Sequence, residues 1–376
     1  MIRTQTMLVT AGALLGVFSW TGLPNGTHDG PFVAYAQTEA APTFKRDPSW
    51  PKPLPNNWGL GILWGVGVGP DDHVWVLNAV DGHHERLRKE GKVPAPPILE
   101  FDQAGNLVKT WGGRDQGFPW FYEAPPKSAP QGLREHGVNV DPEGNVWISG
   151  GNHLILKFSR AGKFLMQLGE RNQTSGSNHP THLGAPASVG FYAPTNEVFV
   201  ADGYLNRRVV VYDASTGKYK RHWGRYGKPP DDDFEPHPGK AYANEPSPGP
   251  GTFPRFAHSA DVSKDGLVYV ADRAHLRTWV FKVDGTFVTE VPMPGVVNSY
   301  AFSADPEQYY LYGGGVNRDR KIYIIRRRDL QVLGEFEADG QQYFAADSKG
   351  NLFICGQTGR DQPQKLILTS CPRKKC

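Results

Sequence analysis

Cysteine is scarce in this 376-residue chain, with only Cys355, Cys371 and Cys376. Three cysteines exclude a disulfide-stapled scaffold, and the even gaps of a structural zinc module are missing. An oxidising compartment would allow one disulfide, either Cys355 with Cys371 or Cys371 with Cys376. A surplus of one charge is missing too. Lys and Arg total 41 against 38 Asp and Glu, a net charge of +3. That balance excludes an electrostatic nucleic-acid binder. The only tight basic run, Arg373-Lys374-Lys375, falls in residues 371–376 and reads as a solvated tail. Long hydrophobic runs are also lacking. No segment approaches the ~18 continuous apolar residues of a membrane span, so no membrane insertion is expected.

The first residues carry a different signal. Arg3 gives a positive start, Leu8 to Trp20 is a short apolar run, and Ala34-Tyr35-Ala36 is a small-residue cleavage site. Residues 1–36 therefore read as a signal peptide. The expectation is a periplasmic or secreted protein. Redox-cofactor motifs, a phosphate-cradling Gly loop and a Ser-His-Asp constellation are all absent from the sequence.

Gly (44), Pro (32) and aromatics (12%) are plentiful instead. Such a mixture suits short strands joined by many turns. The turns repeat. Asp141-Pro142-Glu143-Gly144-Asn145-Val146-Trp147-Ile148 matches Asp347-Ser348-Lys349-Gly350-Asn351-Leu352-Phe353-Ile354, and Lys264-Asp265-Gly266-Leu267-Val268-Tyr269-Val270 is a third copy. Looser copies begin near Asp71, Asn196 and Gln308, and a second hairpin follows each. Strand starts at Val74, Val146, Val198, Val268, Tyr310 and Leu352 are separated by 72, 52, 70, 42 and 42 residues. The short gaps are those of a four-stranded propeller blade. The expected fold is all-β, a six-bladed β-propeller over residues 37–370. Insertions fall at about 79–97, 113–132 and 227–252. A β-sandwich is the alternative. Few residues follow Leu368, so a segment near Trp50 to Gly61 is expected to supply the outer strand of the last blade.

Innermost strands line a propeller's channel, so one repeat position should converge on the axis. Eight positions before the turn glycines stand His136, His258 and Gln342, and the equivalent positions elsewhere fall at Trp64 and near Ala187 and Asn298. His136 and His258 are 122 residues apart yet share one register. Two histidines with a third ligand or water are the usual start of a catalytic zinc site. Alternatively, each caps a strand with an ordinary hydrogen bond. His73, His83, His84, His179, His182 and His237 lie in turns or insertions and are weaker candidates.

The repeats resemble NHL repeats. The stretch from His136 to about Phe287 resembles the peptidyl-α-hydroxyglycine α-amidating lyases and their bacterial relatives. Three segments carry the likeness: Glu135-His136-Gly137, Val200 to Arg208 with Asp202-Gly203-Tyr204, and Phe256-Ala257-His258-Ser259 followed by Asp272-Arg273. The resemblance implies a six-bladed propeller with Zn2+ on its axis and lyase activity. It implies His136 and His258 as metal ligands, Tyr204 as a catalytic base and Arg273 as a substrate-facing cation. Three positions depart from the family pattern. Gln342 stands where the third zinc histidine is expected. Tyr343 replaces an acid that helps hold a structural calcium. Ala79 stands where a catalytic arginine is expected, with Arg86 or Arg88 as nearby substitutes. Two functions follow from the sequence: a lyase-like enzyme acting on a small-molecule or peptide substrate, or a non-catalytic propeller that binds a protein or ligand partner.

Overall fold

Tight Asp-Gly turns set the architecture. The Asp141 carboxylate accepts the amides of Glu143 (3.1 Å) and Asn145 (2.7 Å) and the Trp147 indole N–H (2.9 Å). Asp347 does the same for Lys349 (3.0 Å) and Asn351 (2.8 Å). Gly144 and Gly350 close these turns at φ 84° and 83°, which a Cβ disfavours. Each turn sends the chain back as an antiparallel neighbour.

A computed structural model describes residues 39–79, 84–113, 120–121, 135–233, 257–315, 320–338, 343–356 and 362–376. The expected leader 1–36, Gln342, His83 and His237 lie outside the described residues, as do parts of all three insertions. Among the described residues, no helix is long and apolar enough to cross a membrane.

Six four-stranded antiparallel sheets follow one another. Their innermost strands are Leu63–Val68, Glu135–Val140, Ser188–Tyr192, Ala257–Val262, Ser299–Phe302 and Tyr343–Ala346. Each of these neighbours the next, and the sixth neighbours the first, which closes the ring. The chain is a six-bladed β-propeller. Apolar side chains fill the space between blades, with Trp75, Trp147 and Trp279 at most 1% exposed.

The last blade takes its outer strand from Thr43–Arg46, which pairs antiparallel with Gln364–Ser370. This corrects the expectation of Trp50 to Gly61. That stretch carries Pro51, Pro53 and Pro55, which cannot donate to a ladder, and Asn56 and Asn57 at positive φ. Trp50 instead packs its ring between Phe101 and Phe353, joining the first and last blades. Phe44 sits against Tyr312 and Phe336. Phe44→Ala is expected to lower stability by about 1–2 kcal/mol for this half-buried ring. Chemical denaturation checks this, and an unchanged midpoint would mean that the strand does not hold the ring closed.

The C-terminal residues lie against the fifth blade while Arg373, Lys374 and Lys375 stay exposed. A disulfide joins Cys371 to Cys376, and Cys355 remains a buried free thiol. The Arg373 guanidinium lies 3.7 Å over the Tyr309 ring and bonds Glu307 at 2.9 Å. The Ala304 amide donates to the Cys376 carbonyl at 2.8 Å. Stacking, an exposed ion pair and the closed loop place Arg373 against the fifth blade. The 79–97 insertion also carries more order than a loop: it holds a short helix, His84–Lys89, and a parallel pairing of Val93–Pro94 with Trp58–Gly59.

Candidate active site at the propeller axis

Three inner strands bulge at one register. Glu135 pairs with Gly150 and Gly137 with Ser149, which leaves His136 out of the ladder. Ala257 pairs with Asp272 and Ser259 with Ala271, which leaves out His258. Leu63 and Gly65 flank Trp64 in the same way. A bulge re-aims the extra residue, and the two histidine rings meet with centroids 5.1 Å apart. Trp64 packs 5.6 Å from His136.

Backbone carbonyls orient both imidazoles. His136 Nδ1 lies 2.9 Å from the Ala187 oxygen, and His258 Nδ1 lies 2.8 Å from the Asn298 oxygen. A carbonyl can only accept, so Nδ1 carries the proton and Nε2 the lone pair. Gly137 permits this close approach, since a Cβ there would lie 2.6 Å from the Ala187 oxygen. Ser149 Oγ and the Tyr343 hydroxyl donate to the same oxygen at 2.6 and 2.8 Å. This one carbonyl therefore ties together blades two, three and six.

Tyr204 reaches the axis from the loop after strand Glu197–Asp202. Gly203 lets that loop run against the next blade, since a Cβ there would lie 2.3 Å from the Ala257 nitrogen. The Tyr204 hydroxyl donates to His136 Nε2 at 2.8 Å. The Arg273 guanidinium sits 5.6 Å over the Tyr204 ring. Tyr343 completes the group, its ring stacked 5.4 Å from His258 and its hydroxyl 2.9 Å from His136 Nδ1.

Burial sets the electrostatics. His136 is 1% exposed and His258 0%. Desolvation pushes the His136 pKa down to about 3, and Arg273 adds to this against the Ala187 hydrogen bond. His258 is likewise held far below the usual histidine range, first by burial and then by Arg273 and His136. Both rings are thus neutral, the state a metal ligand requires. Burial raises the Tyr204 phenol above its ordinary value, and Arg273 pulls it back by charge and hydrogen bonding.

His136, His258, Tyr204 and Arg273, expected from the sequence, come together here. Arg86 does not stand in for the arginine missing at Ala79: it is committed to Glu90 (2.8 Å) and the Leu60 carbonyl (2.7 Å). Asp202 pairs with Arg208 at 2.9 Å, and Asp272 bonds His275 at 3.0 Å and Trp279 at 3.3 Å. His179 and His182 stack on each other at 3.9 Å in the loop before blade three. Sequence reasoning missed Tyr343 as an axial residue and Ala187 as a carbonyl anchor. Tyr343 directly follows the counted position Gln342, and no side-chain pattern signals the Ala187 carbonyl.

For a metal, the axis offers two neutral imidazoles with anchored Nδ1 atoms and basic Nε2 atoms, and this donor set fits a borderline cation such as zinc. Among the described residues no third His, Cys, Asp or Glu joins them. Asp71, His73 and Glu100 also bring ligand atoms within 4.8 Å of one another. Arg160 enters that group, bonding Glu100 at 2.9 Å through Nε, reaching His73 at 3.0 Å and pairing with Asp71, which leaves one net negative charge.

No family model matches the chain. A peptidyl-glycine alpha-amidating monooxygenase of Mus musculus is 32% identical over 226 residues, 58% of this chain and 20% of that protein. A probable peptidyl-alpha-hydroxyglycine alpha-amidating lyase of Caenorhabditis elegans is 27% identical over 187 residues, 47% of each chain. The peptidyl-alpha-hydroxyglycine alpha-amidating lyase 2 of Drosophila melanogaster is 38% identical over 88 residues, 23% of this chain and 21% of that protein. The matched stretch thus spans about one fifth of the length of the rodent relatives. The chain is a six-bladed β-propeller with distant homology to the peptidyl-α-hydroxyglycine α-amidating lyases.

Proposed function

We propose that this propeller is an exported carbon–nitrogen lyase that cleaves a peptidyl-α-hydroxyglycine or a similar hydroxylated amide at the axis. The observation that carries this reading is the Tyr204 hydroxyl, bonded to His136 at 2.8 Å beneath the Arg273 guanidinium. His136 and His258 would hold a divalent metal through Nε2, and the Tyr204 hydroxyl, now bonded to His136 Nε2, would then turn from that nitrogen toward the substrate. When bound, that ion would polarise a substrate oxygen as a Lewis acid.

The chain's own groups divide the remaining work. Arg273 binds the substrate carboxylate, bidentately where geometry allows. It also favours the ionised form of Tyr204, because an adjacent cation stabilises phenolate. Ionised Tyr204 takes the proton of the substrate hydroxyl. The freed electron pair forms the second carbon–oxygen bond, and the carbon–nitrogen bond breaks with its pair on nitrogen. Nitrogen regains the proton, so an amide and a glyoxylate-type carbonyl compound leave with no net proton change. Trp64 and Tyr343 exclude water beside the histidines.

N-benzoyl-α-hydroxyglycine tests the reading, with benzamide and glyoxylate as the products to be measured. The expected result is enzymatic release of both, with about one transition-metal ion per chain in protein purified without a His-tag. The double variant His136→Ala/His258→Ala is expected to lose metal and activity while its circular dichroism stays that of a β-propeller. Metal-free, folded wild-type protein that releases no glyoxylate would overturn the proposal and favour a partner-binding propeller.

A further inference from the structure

A second cavity opens along the same channel, downstream of the histidines. Its volume is about 540 Å³, and it shares no lining residue with the axial cluster. Three residues after the axial register, the six inner strands present Gly67, Asn139, Gly190, Asp261, Ala301 and Ala345, all in its wall. Four of these are Gly or Ala, and the missing side chains leave the space. The two polar ones, Asn139 and Asp261, lie on different blades. Asn139 Oδ1 accepts the Val189 amide at 3.3 Å. Asp261 Oδ2 accepts the Tyr300 amide at 3.1 Å.

Charge in this cavity is unbalanced at one point. Among the described residues no Lys, Arg or His forms an ion pair with Asp261. Lys264 and Lys375 line the cavity but are exposed. The other wall acids have local work. Asp141 pairs with Lys157 at 3.3 Å, Asp347 caps its own turn, and Asp72 accepts the Ser348 amide at 2.8 Å. Phe191, Phe302 and Phe344 add aromatic surface.

We propose that this cavity binds a small organic cation, a protonated amine with an apolar body, whose ammonium is held by Asp261 and whose body lies against the aromatic wall. A carboxylate supplies the counter-charge, and ring faces attract cations within ~6 Å. Asp261 is half-buried in the wall, and burial pushes its pKa up to about 7 against hydrogen bonds from the Ser259 side chain and the Tyr300 amide. The titratable neighbours do not offset this, since the Tyr300 and Tyr343 phenols are held well above their ordinary range by burial. A bound ammonium favours the ionised carboxylate, lowers that pKa and expels a proton.

Phenethylammonium is the probe, with 2-phenylethanol as its neutral control, titrated calorimetrically into full-length protein. The cation is expected to bind about tenfold or more tighter than the alcohol, the scale of one charge-assisted hydrogen bond. At pH 7 the buffer dependence of the heat should show about half a proton released per cation bound. Asp261→Asn keeps the shape and should erase both the preference and the proton release. Proton release from the wild type is an independent readout should that variant fold poorly. Equal affinity for the two probes, binding of neither, or a preference that survives Asp261→Asn would overturn the proposal.

Discussion

Tyr204→Phe is expected to lower kcat for cleavage of N-benzoyl-α-hydroxyglycine by about 10²- to 10⁴-fold, the range for loss of one positioned proton-transfer group. Only one oxygen is removed. The ring keeps its place against His136 (5.0 Å) and His258 (5.8 Å), so the pocket shape survives. In the metal-free protein, losing the bond to His136 Nε2 leaves a buried acceptor unsatisfied, at a stability cost of about 1–3 kcal/mol. KM should change little, because Arg273 holds the substrate carboxylate. A purely structural Tyr204 would give another pattern: reduced stability with kcat per folded molecule unchanged. Steady-state kinetics beside a denaturation curve separate the two cases. A Phe variant with wild-type kcat would remove Tyr204 from the chemistry.

Much of this was legible because a propeller repeats its local physics. Strand starts read from the turns at Val74, Val146, Tyr310 and Leu352 coincide with the observed ones, and Val198 and Val268 fall one residue inside. Asp, Gly and Asn mark a turn wherever they occur, so the pattern needs no tertiary knowledge. The axial pair His136 and His258 was legible for the same reason. The bulges were not, since a register shift belongs to two strands and not to one stretch of sequence. Tyr343 was hidden by the same limit. The closing strand was misplaced because choosing Thr43–Arg46 over Trp50 to Gly61 depends on which segment reaches Gln364–Ser370 across the ring. Docking of Arg373 on Tyr309 is likewise a contact between segments that turn chemistry does not relate. Nothing in the sequence marks Asp261; closure of the ring places it in the cavity wall, where no cation among the described residues pairs with it.

The second large effect is expected at Arg208, in the segment that aims Tyr204. Its side chain is fully buried, as is that of Asp202, and Nε meets Asp202 Oδ2 at 2.9 Å. Its Nη1 donates to the Ser177 and His179 carbonyls at 2.7 and 2.6 Å, and its Nη2 donates to His182 at 2.6 Å. Asp202 in turn accepts the Gly184 amide and the Asn206 side chain, both at 2.7 Å. One guanidinium therefore fastens the 177–184 loop to the turn that carries Tyr204. Arg208→Met would leave a buried carboxylate uncompensated and three carbonyls without their donor. Breaking one side of such a pair costs about 3–5 kcal/mol, against about 1 for an average substitution. Removing both charges, with Arg208→Met and Asp202→Leu, should recover part of this, because no lone charge then stays buried. Recovery should be incomplete, since the loop carbonyls remain unpaired. Activity should fall in both variants as the 202–208 turn loosens, although neither residue touches the substrate. Urea denaturation of the single and double variants checks the ordering. A single-variant loss below about 1 kcal/mol would mean that water replaces the guanidinium, and the aim of Tyr204 would then have to come from the Gly203 contact with Ala257 alone.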